Sequence, residues 1–418
     1  MAKLSHDDLI IFLLAISTML ILSRIVSELG KRMKLPMVMG ELIVGICLGP
    51  TLLGKFWPEG YDYLFPLKTN SNVSVALDGI FSISVILLLF VAGMEVQLSI
   101  VLRQGKTAIF TGFGGMIVPF FVGFATAFWL PSVFGMSMES SNRLLFSLFM
   151  GTALSISALP VIARILMDMN LFKTKVGMII IASAMFNDLV GWLFFSFILS
   201  MGGQNHGSLG LGYTIMYIIA FGAFMLFIGR RIIDRILPWI QTKLSWPGGV
   251  LAISLGVCLL CAAFTQAINI HAILGAFIAG IAIGDSVQLR EQARDIIHQF
   301  ITNFFAPLFF VSIGLKVNFI DNFDPVIVGV ILVLAYAGKV IGATSGALLG
   351  GLSRNNALAV AFGLNARGAM EIILGTLALN AGLISQPIFV ALVIMAFVTS
   401  LTSGPLMRKF VEPEKPAA

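Results

Sequence analysis

A chain of 418 residues with 58% apolar and only 11% charged side chains is not an ordinary soluble domain, where about a quarter of residues are charged. The composition is that of a polytopic membrane protein with almost no soluble part. The formal net charge of +6 does not point to nucleic acid, because the basic residues fall in short loops, where they orient helices and face anionic lipid.

In chain order, hydropathy and loop signals predict an all-α membrane protein of about thirteen spans. They cover residues 7–29, 36–54, 76–98, 106–130, 143–168, 174–201, 211–236, 247–266, 270–285, 296–318, 324–351, 354–382 and 386–411. Asp7 and Asp8 precede the first run and no small-x-small cleavage site follows it, so it is expected to stay as a membrane helix. The second and ninth spans are short and Gly-rich, a pattern often found near a transporter's binding site.

An odd number of spans puts the termini on opposite sides. The loops with Lys31, Arg32, Lys34, Arg103, Lys106, Lys173, Lys175, Arg230, Arg231, Arg235, Lys243, Arg290, Arg294, Arg354, Arg408, Lys409 and Lys415 fall on one side. Lys3, Lys55, Lys68, Arg143 and Lys316 fall on the other. The positive-inside rule makes the richer side cytoplasmic, with the N-terminus outside and the C-terminus inside.

The sequence also repeats itself. Gly40-Glu-Leu-Ile-Val-Gly45-Ile-Cys-Leu-Gly49 aligns without gaps on Gly275-Ala-Phe-Ile-Ala-Gly280-Ile-Ala-Ile-Gly284. Phe90-Val-Ala-Gly-Met-Glu95-Val matches Phe310-Val-Ser-Ile-Gly-Leu-Lys316-Val with one insertion. The order is kept, which divides the chain into a first six-helix repeat (1–210), a linker helix (211–246) and a second six-helix repeat with a short cytoplasmic tail (247–418). A separation of seven spans inverts one repeat against the other, as in secondary transporters.

In that plan the ion site lies near the midplane, where discontinuous helices cross. The fifth span holds Gly151-Thr152-Ala153-Leu154-Ser155-Ile156-Ser157-Ala158-Leu159-Pro160, where proline removes a donor and crowds the preceding turn. Thr152, Ser155 and Ser157 can satisfy freed backbone groups or offer oxygens to a cation. The twelfth holds Gly363-Leu-Asn-Ala-Arg367-Gly368-Ala-Met-Glu371 and is also expected to lose helical character.

Few ionisable groups lie well inside the spans: Glu41, Arg164, Asp188, Lys339, Arg367 and Glu371. A charge at a helix centre costs about 2.5–3.5 kcal/mol on insertion scales, so each needs a reason. Asp188, after Asn187 in the sixth span, reads either as a structural carboxylate or as a group that alternately holds a proton and a hard cation. Lys339 either neutralises a carboxylate or carries a proton itself. Arg367 and Glu371, four residues apart, are placed on one helix face and read as a structural pair first and site-shaping second. Glu41 belongs either to a packing surface or to the access path. Glu95 sits near a membrane end, and Arg164 can snorkel from one. His6, His206, His271 and His298 fall at ends or loops and read as solvated. Cys258-x-x-Cys261 lies in a hydrophobic run without a second ligand pair and reads as core, not metal or disulfide.

Gly40-Glu41-Leu-Ile-Val-Gly45-x-x-Leu48-Gly49-Pro50, Phe90-Val-Ala-Gly-Met-Glu95 and the Asn187-Asp188 pair resemble the monovalent cation:proton antiporter-2 family. Thr152-Ala-Leu-Ser-Ile-Ser-Ala-Leu-Pro-Val-Ile-Ala-Arg164 and Asn365-Ala-Arg-Gly-Ala-Met-Glu371 are similar to its plant-type cation/proton exchangers. The resemblance covers essentially the whole chain. It implies a thirteen-helix homodimeric antiporter with an elevator-like motion, the carboxylate at Asp188, its partner at Asn187, the family's lysine at Lys339 and an arginine at Arg367. Electrogenic relatives carry two adjacent acids where this chain has Asn187-Asp188, which implies one Na+ or K+ exchanged for one H+; retention of Lys339 pulls the other way. Kef-type and plant members often add a regulatory domain, whereas this sequence ends soon after its last span.

The expected function is therefore electroneutral exchange of Na+ or K+ for H+ in a bacterial inner membrane, without a cofactor. A potassium efflux pathway of Kef type, with channel-like flux, is the alternative. An organic-anion symporter fits the motifs less well. No nucleophile–base set or phosphate loop suggests an enzyme.

Overall fold

The computed structural model describes residues 4–32, 37–67, 71–96, 105–136, 143–169, 171–172, 174–202, 211–268 and 270–411. Lys3, Lys34, Lys68, Arg103, Lys173, Lys415 and His206, named above, lie outside the described residues.

The described residues are nearly all helical, and 11 helices are long and apolar enough to cross a membrane. The pair Arg354–Leu364 and Ala369–Asn380, bent by 48°, makes up to 12 if counted as one span. The expected ninth span is the helix Ala272–Gly284. Its 13 residues reach about 20 Å, short of a hydrocarbon core of about 30 Å. The ninth run is apolar and short, as its sequence suggests, and is ended by the Asp285 turn.

The chain folds as two compact units, Met1–Val96 with Ile215–Asn322, and Gln97–Thr214 with Phe323–Ala418. Each draws its helices from both halves of the sequence, so the units do not follow chain order as the repeats do.

In the first unit, the segments that repeat in sequence make the same kind of contact. A Cβ on Gly45 or Gly49 of Met37–Leu48 would strike the carbonyls of Val311 and Gly314 in Ala306–Lys316. A Cβ on Gly280 or Gly284 of Ala272–Gly284 would strike Phe90 or Met94 in Asn72–Glu95. Glycines of one repeat thus seat a helix of the other, in both directions. In lipid no hydrophobic force drives helices together, so close backbone packing through small residues does that work. Around the first contact lies a core of Met19, Val44, Phe65, Leu77, Leu308 and Val311. The linker runs from Leu211–Ala223 through a π-helical turn, Phe224–Gly229, into Arg230–Lys243.

In the second unit, Gly105–Trp129 packs on Pro325–Leu349 by the same device: Gly114 and Gly342 each face the other's carbonyl. Asp324 starts Pro325–Leu349 by accepting from the N–H groups of Val326 (2.8 Å) and Ile327 (3.1 Å), ahead of a proline that fits the first helical turn. Ile162, Ile180, Ala184, Met185, Val360 and Leu364 form an apolar core beside two interrupted helices.

Candidate functional site

The fifth span breaks where its sequence requires. Arg143–Ser155 ends, and Leu159–Asp168 restarts with Pro160 in its first turn, where no N–H is needed. The twelfth breaks between Arg354–Leu364 and Ala369–Asn380, passing through Gly368. A Cβ there would stand 2.7 Å from Val161 Cγ2, so glycine permits the close crossing. The breaks meet: Ala158 donates its N–H to the Ala366 carbonyl at 3.0 Å.

A helix that stops inside a bundle leaves unpaired carbonyls and the negative end of its dipole. Here three successive carbonyls of Arg143–Ser155 receive cationic donors. Arg367 Nη1 donates to Ala153 O at 2.6 Å and Nη2 to Leu154 O at 2.5 Å. Lys339 Nζ donates to Ser155 O at 2.5 Å, and also to Gly115 O at 2.9 Å. Both side chains are fully buried. Hydrogen bonds to a charged partner contribute about 1.5–3 kcal/mol each, which offsets part of the cost of burying the charges. Ser400 Oγ donates to the Arg367 carbonyl and holds the second break from behind.

Asn187 and Asp188 lie on Lys175–Gly202, both buried. With the Asn187 amide turned so that donors meet acceptors, Nδ2 donates to Gly112 O at 2.9 Å and Oδ1 accepts from Lys339 Nζ at 3.2 Å. Lys339 thus donates to two carbonyls and an amide. Asp188, Glu371 and Arg367 are the charged groups in electrostatic range of it.

Arg367 Nη1 reaches Glu371 Oε2 at 3.3 Å. The expected pair forms, but not on a single helical face, since Arg367 stands in the break and Glu371 in the first turn beyond it. Thr152 Oγ1 donates to Leu148 O at 2.8 Å, and Ser155 Oγ lies 2.9 Å from both Gly151 O and Thr152 O. Their protons serve the backbone, and their lone pairs are what remains for an ion. Ser157 is buried in the break itself.

Asp188, Asn187, Thr152, Ser155, Ser157, Lys339, Arg367 and Glu371 thus all belong to the second unit. Glu41 does not: it is 4% exposed on Met37–Leu48 of the first unit, with Oε2 lacking a hydrogen-bond partner among the described residues. His298, with 45% of its side chain exposed, stands 3.6 Å from Glu95, and His271 Nδ1 caps the N–H of Ile273 at 3.5 Å. Sequence reasoning also missed Ser400 and the Gly112 and Gly115 carbonyls, since nothing in an apolar helix marks which carbonyl a distant side chain will find.

The sodium/hydrogen exchanger transmembrane family profile matches residues 14–411. The chain belongs to this family. It is 28% identical to cation/H+ antiporter 18 of Arabidopsis thaliana over 97% of its own length and 49% of that protein's. The chain thus spans about half the length of its plant relatives. It is 30% identical to the Na+/H+ antiporter NhaS4 of Synechocystis, covering 96% of this chain and 98% of that one. It is 28% identical to the Na+/H+-K+ antiporter GerN of Bacillus cereus, covering 95% of each. The fold matches that of the sodium proton antiporter MjNhaP1 from Methanocaldococcus jannaschii, with a TM-score of 0.65 over 96% of this chain and 97% of that one at 17% identity. Family and fold together make this a multi-pass integral membrane protein of the antiporter architecture.

Proposed function

We propose that the protein exchanges a monovalent cation, Na+ or K+, for H+, one for one, with Asp188 holding the two in turn. The observation that carries this reading is the buried set of two cations and two carboxylates, Lys339, Arg367, Asp188 and Glu371, gathered at the helix crossing. With all four ionised, their formal charges sum to zero. A proton on Asp188 raises the sum by one, and so does a Na+ or K+ beside ionised Asp188. The two loaded forms carry the same charge, so exchanging one for the other moves none across the membrane. Holding both ions at once adds a second surplus charge in a low-dielectric site, and that repulsion couples them. Asn187 shapes the site through Lys339, and Thr152, Ser155 and Ser157 supply oxygen ligands suited to a hard cation.

Relatives named for Na+/H+, K+/H+ and Na+/H+-K+ antiport support the same substrates. An elevator motion is supported by the gathering of the ion-site residues in one compact unit. The family resemblance supports a homodimer, in a bacterial inner membrane, and the loop charges support an N-terminus outside. Proteoliposomes with an internal pH dye, given Na+, K+ or Li+ with and without a clamped potential, test the reading. Proton movement insensitive to potential, and lost in Asp188→Asn, is expected. Cation flux without proton movement overturns it in favour of a channel-like pathway.

A further inference from the structure

Lys339 and Arg367 both serve the carbonyl end of Arg143–Ser155. At the corresponding end of Arg354–Leu364 stands Asn365, whose N–H closes the last turn onto Ala361 O at 3.1 Å. Its side chain is fully buried, and neither Nδ2 nor Oδ1 has a hydrogen-bond partner among the described residues. Ser157 Oγ, also fully buried, is in the same condition. The two orphans flank the Ala158–Ala366 hydrogen bond, one just before each of its residues. Glu371 Oε1, in the first turn past the second break, completes the group.

Burying an unpaired amide or hydroxyl costs about 2–7 kcal/mol, so two such side chains at one crossing, beside a carboxylate oxygen in the same condition, are not idle packing. Their oxygens are hard donors. The end of Arg354–Leu364 adds about half a negative charge, and there it meets an uncharged amide, not an ammonium or guanidinium. That combination suits a small monovalent cation keeping part of its water, to which Nδ2 can also donate when the water bridges to a carboxylate.

We infer that Asn365 is a cation ligand: Asn365 Oδ1 and Ser157 Oγ contact the transported alkali cation where the broken helices cross, and Asn365 helps set its selectivity. This rests on the antiport reading and extends its site to a residue outside the charged set. Asn365→Leu tests it well, because Leu is close in size and removes both orphan groups, a change that is neutral or stabilising when no ligand is involved.

Melting temperatures of the purified protein are measured across Na+, K+ and Li+ concentrations, beside the exchange assay. Wild type should melt higher as cation rises, and N365L should lose that rise while melting at least as high without cation. The half-saturating cation concentration for exchange should increase about tenfold or more, which is about 1.4 kcal/mol of binding. Ser157→Ala should shift it in the same direction by less, and carries the test if N365L does not fold. An equal cation-dependent rise in wild type and folded variant overturns the inference, as does a wild type that no cation stabilises. Exchange in the wild type reports on the antiport reading separately.

Discussion

Ala158 and Ala366 join the two interrupted helices by a backbone hydrogen bond of 3.0 Å, break to break. That contact explains why Arg367, next to Ala366, reaches the carbonyls of Ala153 and Leu154 in the other helix. It also makes the two breaks one structural object, so loss of a side chain at either is felt at both.

Arg367 is the first place to test this. Arg367→Ala strips the donors from Ala153 O and Leu154 O and leaves Glu371 buried without its cation. Removing one member of a buried pair costs about 3–5 kcal/mol, and a loss of that size is expected in denaturant or thermal unfolding. Arg367→Lys keeps the charge but not the fork, and should fall between. The double variant Arg367→Met/Glu371→Leu should recover much of the loss, since no lone charge remains. A double variant as unstable as the sum of its singles would show that the two residues act independently.

Lys339→Met separates structure from proton coupling. It removes the donor from Ser155 O, Gly115 O and Asn187 Oδ1, so a stability loss of about 3 kcal/mol or more is expected. If the proton rides on Asp188, the activity that survives stays coupled to proton movement and insensitive to potential. Cation flux that has lost its proton and become potential-driven would assign the proton to Lys339 instead. The clamped-potential assay distinguishes the two.

Much of this arrangement was legible in the sequence because lipid leaves few solutions. Charges inside apolar runs marked Asp188, Lys339, Arg367 and Glu371, and Pro160 marked the first break. The glycines of 40–49 and 275–284 marked a repeat, and the structure gives them a cause: each lets one helix lie against another's backbone. What could not be read was pairing between distant elements. The four-residue spacing put Arg367 and Glu371 on one face although Arg367 stands in the break, and nothing in the sequence showed that His298 lies near Glu95 of a separate helix. Asn365 sat inside a quoted motif without a role, because an orphaned amide is visible only once its surroundings are known.

Tyr61, outside the membrane spans, gives a pH test. Its hydroxyl donates to Leu315 O at 2.7 Å, and burial, with Asp62 nearby, pushes the phenol up to about 12. A phenol raised in the folded state contributes stability that is complete below its ordinary value of 10.0 and is lost as pH rises toward about 12. The unfolded chain ionises first and is favoured across that window. Tyr61→Phe should cost about 1 kcal/mol at neutral pH and flatten the alkaline decline. Unfolding measured at a series of alkaline pH values, with ultraviolet titration of the phenol, checks both; an unchanged decline in the variant would place its origin elsewhere.

Gly314 tests whether the glycine contacts hold the first unit together. A Cβ at Gly314 would overlap the Gly45 backbone, with Gly45 Cα only 2.6 Å away. Neither helix can yield by rotating a side chain, because backbone meets backbone. Gly314→Ala should therefore destabilise by about 1–3 kcal/mol or more, the range for overpacking, despite the better helix propensity of alanine. Gly329 is the matched control: it lies inside Pro325–Leu349, and its Cβ would meet nothing within 4 Å. Gly329→Ala should be neutral or stabilising by up to about 1 kcal/mol. Melting temperatures that move in opposite directions for the two variants are expected. Equal responses would mean that Met37–Leu48 and Ala306–Lys316 are not in the close contact described, and the packing reason for the repeated glycines would fail with it.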